Sequence, residues 1–268
     1  VAAQDVGGAQ SSLRRSEEKV STWLEQHRDR PPVVRAFVQR MPKGGDIHTH
    51  LSGAVYAEAY LSWAAADGYC VDAVAVRLVL PEDCGKSPNY FPASELFKRT
   101  AVYDALINRW SLRNLTFAGK SGHDQFFQAF EGFDPISSSP TRKGSMVADV
   151  ANRAASQHIS YLELLLTTQG SATQRLARSI NWNANFAEMR RQLLAKGLLD
   201  LVANGRQELD RIERQATTAL GCETAKPQPG CRVTVRFLQQ TTRLKPPIEV
   251  FAQFVYAFEL AKADPRVV

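Results

Sequence analysis

The spacing of apolar residues divides the chain into a helical arm and a longer alternation of strands and helices. Residues 1–12, rich in Gly, Ala, Gln and Ser, carry no apolar period and read as a loose tail. Leu13, Val20, Trp23 and Leu24 then recur at helical spacing, with Ser11 or Ser12 as the cap, Glu17 and Glu18 in the early turns, and Pro31-Pro32 as the stop. Val34, Phe37, Val38 and Met41 make a second short amphipathic turn that runs to Pro42. Residues 46–51, Asp-Ile-His-Thr-His-Leu, alternate as a buried strand with exposed polar ends, and a helix is predicted over 55–66. The stretch 67–92, dense in Pro, Gly and Asp, reads as a loop-rich insertion. Helices are predicted over 94–106, 123–132 and 145–157, the last feeding into residues 160–167, a near-continuous apolar run of the kind that parallel strands carry when covered on both faces. A helical region over 182–219, interrupted at Gly197 or Gly205, precedes a strand over 232–238. Pro247 opens a helix with Val250, Phe251, Phe254, Val255 and Phe258 as its stripe, and after Pro265 another apolar run starts.

Strands alternating with helices are the grammar of a parallel α/β fold. Three strands and the start of a fourth, set against the eight of a closed barrel, read as the N-terminal portion of a (β/α)8 TIM-type barrel belonging to a longer protein. The expected organisation is a flexible tail and helical arm over 1–40, then an incomplete barrel over 41–268. The arm's apolar stripe needs a cover, from the main domain or from another subunit, which makes it the candidate contact of a homodimer.

At 268 residues, 44% hydrophobic and 22% charged, the chain has the composition of a globular protein with a sizeable core. No apolar run reaches the roughly 18 residues of a membrane span, so no membrane partner is expected. The net charge is +6, but the basic residues are interleaved with acids. The densest stretch alternates Arg206, Arg211 and Arg214 with Glu208, Asp210 and Glu213, which is a solvated helix face and no footprint for a nucleic acid polymer. Four cysteines fall as local pairs, Cys70 with Cys84 and Cys222 with Cys231, each around a loop containing Pro or Gly. Their spacing predicts two disulfides, although four cysteines allow three connectivities and free thiols are the alternative. Disulfides would place the protein in the periplasm or outside the cell, and free thiols in the cytoplasm. The chain opens Val-Ala-Ala-Gln-Asp without a signal-peptide pattern, so any export signal is expected to have been removed or to lie outside these residues.

The candidate chemistry sits in Met41-Pro42-Lys43-Gly44-Gly45-Asp46-Ile47-His48-Thr49-His50-Leu51-Ser52-Gly53-Ala54. Histidines one residue apart on a strand point to the same side, so His48 and His50 can hold one metal ion. Imidazole nitrogens favour zinc, with iron, cobalt or manganese as alternatives. His27, His123 and His158 fall in helical or pre-helical contexts and read as structural or surface residues.

At this motif the chain resembles the adenosine deaminase family, most closely its secreted, growth-factor-related branch and bacterial relatives. The likeness extends to Phe-Phe-Gln-Ala-Phe-Glu-Gly-Phe at 126–133 and to Tyr161-Leu162-Glu163, and spans about residues 41 to 268, loosely outside the first motif. It implies an amidohydrolase-type barrel that uses one zinc ion and water to convert adenosine, or a related aminopurine nucleoside, to inosine and ammonia. His48 and His50 match the family's first two metal ligands. Gly53 matches its motif, whereas Ser52 stands where the family commonly has an acidic residue on the ribose. Phe126, Phe127 and Phe130 correspond to an aromatic helix over the purine, or are simply core. Glu163, an acid in a very apolar strand, reads as paired or as facing the polar barrel mouth, with a structural ion pair preferred over a catalytic role.

In the implied reaction zinc lowers the pKa of its water to about 7, and the hydroxide attacks the amine-bearing purine carbon. A protonated Glu delivers a proton to the ring nitrogen. The family's His-Ala-Gly-Glu-like motif, a further assisting His and the Asp-Asp pair do not occur in residues 1–268, so no catalytic residue of this chain is nominated. The His-x-Glu and Cys-x-x-Cys ligands of cytidine-type deaminases are also missing. Two other readings fit the same pattern: another amidohydrolase-type metal hydrolase, and an extracellular purine-binding or signalling protein that has lost catalysis.

Overall fold

A computed structural model describes residues 6–115, 119 and 121–268, the side chains from residue 12 onward. The fold is mixed α/β, mostly helical with a small parallel sheet. The chain divides into two units, Val1–Gly44 and Gly45–Val268. In the first, α1 (Val6–His27) and α2 (Pro31–Arg40) form a helical pair held by Trp23, whose ring lies 4.8 Å from that of Phe37. Prolines at the start of α2 supply the fixed φ of a first helical turn, so Pro31-Pro32 opens a helix as well as ending the connection. Of the expected loose tail, residues 1–5 lie outside the described residues. From Val6 the chain is already helical, Ala9 and Gln10 being strong helix formers.

The second unit is built on β1 (Gly44–His50), β5 (Ile159–Leu166) and β6 (Thr234–Gln239), in the sheet order β1-β5-β6. Strands β5 and β6 pair in parallel, Glu163 opposite Arg236 and Leu165 opposite Leu238. Beyond β6 a parallel bridge joins Phe237 to Val267. Alternation decides what each face of the sheet meets. Leu162, Leu164 and Leu166 are buried, and β5 packs on α7 (Lys143–Ser156) through that face. Tyr161, Glu163 and Leu165 take the opposite face and are only half-buried. The strand expected as buried at residues 46–51 is not buried: Ile47 is 65% exposed, because β1 lies at the sheet edge, with β5 as its one strand neighbour among the described residues. Its apolar anchor is Leu51, 2% exposed, which opens α3 (Leu51–Ala54).

Between β1 and β5 the chain forms α4 (Ala57–Ala66), then β2 (Cys70–Asp72), β3 (Arg77–Val79) and β4 (Tyr90–Pro92), then α5 (Thr100–Arg109) and α6 (Gly122–Ser137). The stretch read as a loop-rich insertion is therefore structured, with β2 paired antiparallel to both β3 and β4. These strands are three residues each, too short to show an alternating period in the sequence. Both expected disulfides are present, Cys70–Cys84 and Cys222–Cys231, each with a Cα–Cα separation of 5.5 Å.

After β5 come α8 (Gly170–Ala177), α9 (Phe186–Ala195) and α10 (Leu198–Leu220), and after β6 comes α11 (Pro247–Ala263). Gly197, at φ +98°, breaks the helical run as expected of one of the two candidate glycines. Gly205 does not break it. It sits inside α10 because α11 crosses there, and a Cβ at this position would meet Tyr256 Oη at 2.1 Å. Tyr256 is 1% exposed and its hydroxyl lies 2.7 Å from Thr168 Oγ1, so it cannot simply swing away.

Arg266 secures the chain beyond α11. Its guanidinium donates to Asp264, to Asp210 at 2.6 Å and to Glu213 at 2.8 Å, while its carbonyl accepts from the Phe237 amide at 2.8 Å. Hydrogen bonds from Arg266 hold the Asp264 carboxyl below the usual carboxylate range even though burial opposes this.

Two predictions follow from this packing. Alanine is about 1 kcal/mol better than glycine inside a helix, but overpacking costs about 1–3 kcal/mol, so Gly205→Ala should destabilise the protein in chemical denaturation. Asp264 has a depressed folded-state pKa, so its contribution is complete above the unfolded value of 3.8 and is lost as pH falls through the lower folded value. Arg266→Gln leaves that buried carboxylate with the longer contact to Arg206 at 3.9 Å as its salt bridge, should cost about 3 kcal/mol near neutral pH, and should recover relative stability on acidification where the wild type loses it. Urea unfolding from about pH 7 down to about pH 3 reads both slopes.

Candidate functional site

The ends of β1, β5 and β6 open onto one cleft of about 350 Å³, lined by Leu51 and Ser52 after β1, Leu165 to Thr167 at the end of β5, and Gln240 after β6. In parallel α/β folds, ligands bind at the carboxyl ends of the strands. The far wall comes from Asp134, Ser137 and Ser138 of the α6 end and from Lys143 and Met146 of α7.

The turn after β1 is held rigidly. Tyr60, fully buried on α4, donates its hydroxyl to the Ser52 carbonyl at 2.8 Å and stacks on Phe133 with ring centroids 4.8 Å apart. Burial pushes the Tyr60 phenol well above its ordinary pKa, so it remains a donor. Arg153 of α7 donates to the Ala54 carbonyl at 2.6 Å, pairs with Asp149 and lies over the Tyr56 ring. Asp46 folds back along β1 and accepts from the His48 amide at 3.2 Å and from the Thr49 hydroxyl at 2.5 Å.

His48 and His50 are both exposed, with ring centroids 6.0 Å apart and planes nearly perpendicular. Nδ1 of His50 lies 3.2 Å from Oε1 of Gln240. A proton on Nδ1 donates to that oxygen and leaves the Nε2 lone pair for a metal. The pair therefore fits two positions of a four-coordinate zinc site. Among the described residues no group of three or more His, Cys, Asp or Glu is assembled around one point.

The other nominated residues separate into two places. Ser52 lines the cleft at the strand ends. Gly53, with Phe126 and Phe130, lines a neighbouring cleft of about 380 Å³ that is mainly apolar and also bordered by Tyr56, Ile107 and Trp110. Gly53 is needed there for close approach, since a Cβ would come within 3.1 Å of Phe130 Cζ. Phe127 turns away, 58% exposed, and its ring lies 4.9 Å from that of His123. Phe133, unnominated, is the core aromatic of the group at 4% exposed.

Glu163 is partnered by Tyr161, whose hydroxyl donates to its Oε1 at 2.9 Å, in place of the expected ion pair. That hydrogen bond raises the Tyr161 pKa above its ordinary value. Arg236 is the register neighbour of Glu163 on β6. Lys143 and Gln240 were missed as site residues. The signal for Gln240 was a run of polar residues, Gln239 to Thr242, directly after an apolar strand. Lys143 gave none, since its role depends on Glu208, 65 residues away, which it meets at 2.5 Å.

The chain matches no protein-family model, no characterised protein and no solved structure. No helix among the described residues is long and apolar enough to cross a membrane.

Lys143 and Glu208 are 16% and 11% exposed, so removing one partner leaves a desolvated charge. Lys143→Met should cost about 3 kcal/mol, whereas the double change with Glu208→Leu should recover most of it. A double-mutant cycle in urea measures the difference.

Proposed function

We propose that this chain carries the first-strand limb of a zinc-dependent deaminase site acting on adenosine or a related aminopurine nucleoside, in a barrel of the amidohydrolase type. The observation that carries the reading is the His48/His50 pair at the end of β1, ring centroids 6.0 Å apart, with His50 reaching Gln240, a residue of the cleft at the strand ends. The order β1-β5-β6 followed by the Val267 bridge also supports it, because strands laid down sequentially in one direction are what a singly wound barrel needs, while a doubly wound sheet reverses its order. Two disulfides support an oxidising compartment, the periplasm or the cell exterior.

In this reading His48 and His50 hold the ion, and Tyr60 and Arg153 keep the following turn in place beneath it. Ser52 and Ser137 present hydroxyls to the sugar in the cleft at the strand ends, while Phe126 and Phe130 offer an apolar surface to a flat base in the neighbouring cleft. Zinc bound there makes water a nucleophile at neutral pH by bringing its pKa down to about 7. The general acid and the remaining ligands of the resembled family have no matching motif in residues 1–268.

The decisive experiment uses the protein produced by its own gene, assayed for zinc content and for conversion of adenosine to inosine. His48→Ala and His50→Ala should each reduce bound zinc at least about tenfold and abolish conversion. Normal zinc in both variants overturns the assignment. The 268-residue chain supplied with zinc should leave adenosine unchanged. Turnover by that chain would show that the acid and the missing ligands lie among these residues under another pattern.

A further inference from the structure

Gln240 reaches across the end of β5 to a histidine 190 positions away, joining the two outer strands of the sheet at the mouth of the cleft. Its backbone is fixed on both sides. The Gln240 amide donates to the Leu166 carbonyl at 2.9 Å, and the Gln240 carbonyl accepts from Gln239 Nε2 at 3.2 Å. Gln239 is itself clamped, since its Oε1 accepts from the Thr168 amide at 3.1 Å and from Thr168 Oγ1 at 2.8 Å, and Thr168 meets the buried hydroxyl of Tyr256. A relay of hydrogen bonds thus runs from α11 through β5 and β6 and ends on an exposed imidazole.

Chemistry sets what the last link does. A carbonyl oxygen can only accept, so the ring nitrogen facing it must carry the proton. A neutral imidazole has one proton to place, and an exposed ring without a partner distributes it between both nitrogens. Only the unprotonated nitrogen binds a metal. We propose that Gln240 is a positioning residue that accepts the hydrogen bond of the Nδ1 proton of His50 and thereby fixes the tautomer that leaves the Nε2 lone pair free for a metal shared with His48. The inference rests on the reading of this histidine pair as metal ligands, and it adds a residue that no motif contains. A merely structural cross-link between β1 and β6 would hold the strands without favouring either nitrogen.

Long-range ¹H–¹⁵N NMR of the full chain, at a pH where the ring is neutral, reads the tautomer directly. Zinc affinity is measured on the same samples by competition with a chromogenic chelator. The wild type should show His50 with a protonated Nδ1 and a bare Nε2. Gln240→Leu should give a mixed tautomer and bind zinc about ten- to a hundredfold more weakly. Gln240→Glu, which keeps an accepting oxygen, should retain both properties, and circular dichroism confirms that each variant folds. A wild-type His50 protonated at Nε2, or a Gln240→Leu protein with unchanged zinc affinity, overturns the role of Gln240. If His50→Ala binds zinc as well as the wild type, the metal reading fails and takes this inference with it, even where the Nδ1 proton is found in place.

Discussion

Everything in the larger unit depends on the burial of one face of β5. Leu162, Leu164 and Leu166 are all below a tenth exposed, and with Phe237 of β6 they make the apolar floor on which the helices stand. At about 25 cal/mol per Å² of apolar surface, burying each such side chain contributes roughly 1.5–3 kcal/mol. A slip of one residue would turn these leucines away from α7 and place Glu163 and Tyr161 under it, so the register is settled before any site chemistry is added. The polar side of the sheet is what remains once that requirement is met.

This explains what could be read in the amino-acid order. The leucine run, the histidine pair and the two cysteine pairs are local features, each set by spacing within a few residues. A glycine break in the long helical run is local too, but the sequence leaves Gly197 and Gly205 as equal candidates, and the positive φ that selects Gly197 is seen only in the fold. The remainder is tertiary. Gly205 looks like a helix breaker until Tyr256 is brought against it, and the segment around Cys70 looks like loop because its strands are too short to show a period. Ile47 has the pattern of a buried residue but lies on an edge strand, where pattern alone promises more cover than the sheet provides.

The neighbouring clefts show the same division. Ser52 and Gly53 are adjacent in sequence yet line different clefts, one polar and one mainly apolar, and the turn between β1 and α4 that separates them is pinned by Tyr60 and Arg153 from separate helices. The phenylalanines of α6 divide for a simpler reason. Positions 126 and 130 are one helical turn apart and share a face, while 127 is rotated by about 100° toward solvent.

The edge position of β1 has a consequence for any ion that settles on its histidines. A strand hydrogen-bonded along one side opens locally at lower free energy than one paired on both, so the two imidazoles are aligned only while β1 is docked. Apparent affinity is the intrinsic affinity multiplied by that docked fraction, and binding in turn slows the opening by mass action. Amide exchange along residues 45–50 would therefore report occupancy, and whatever covers the free edge of β1 would tighten the metal without touching it.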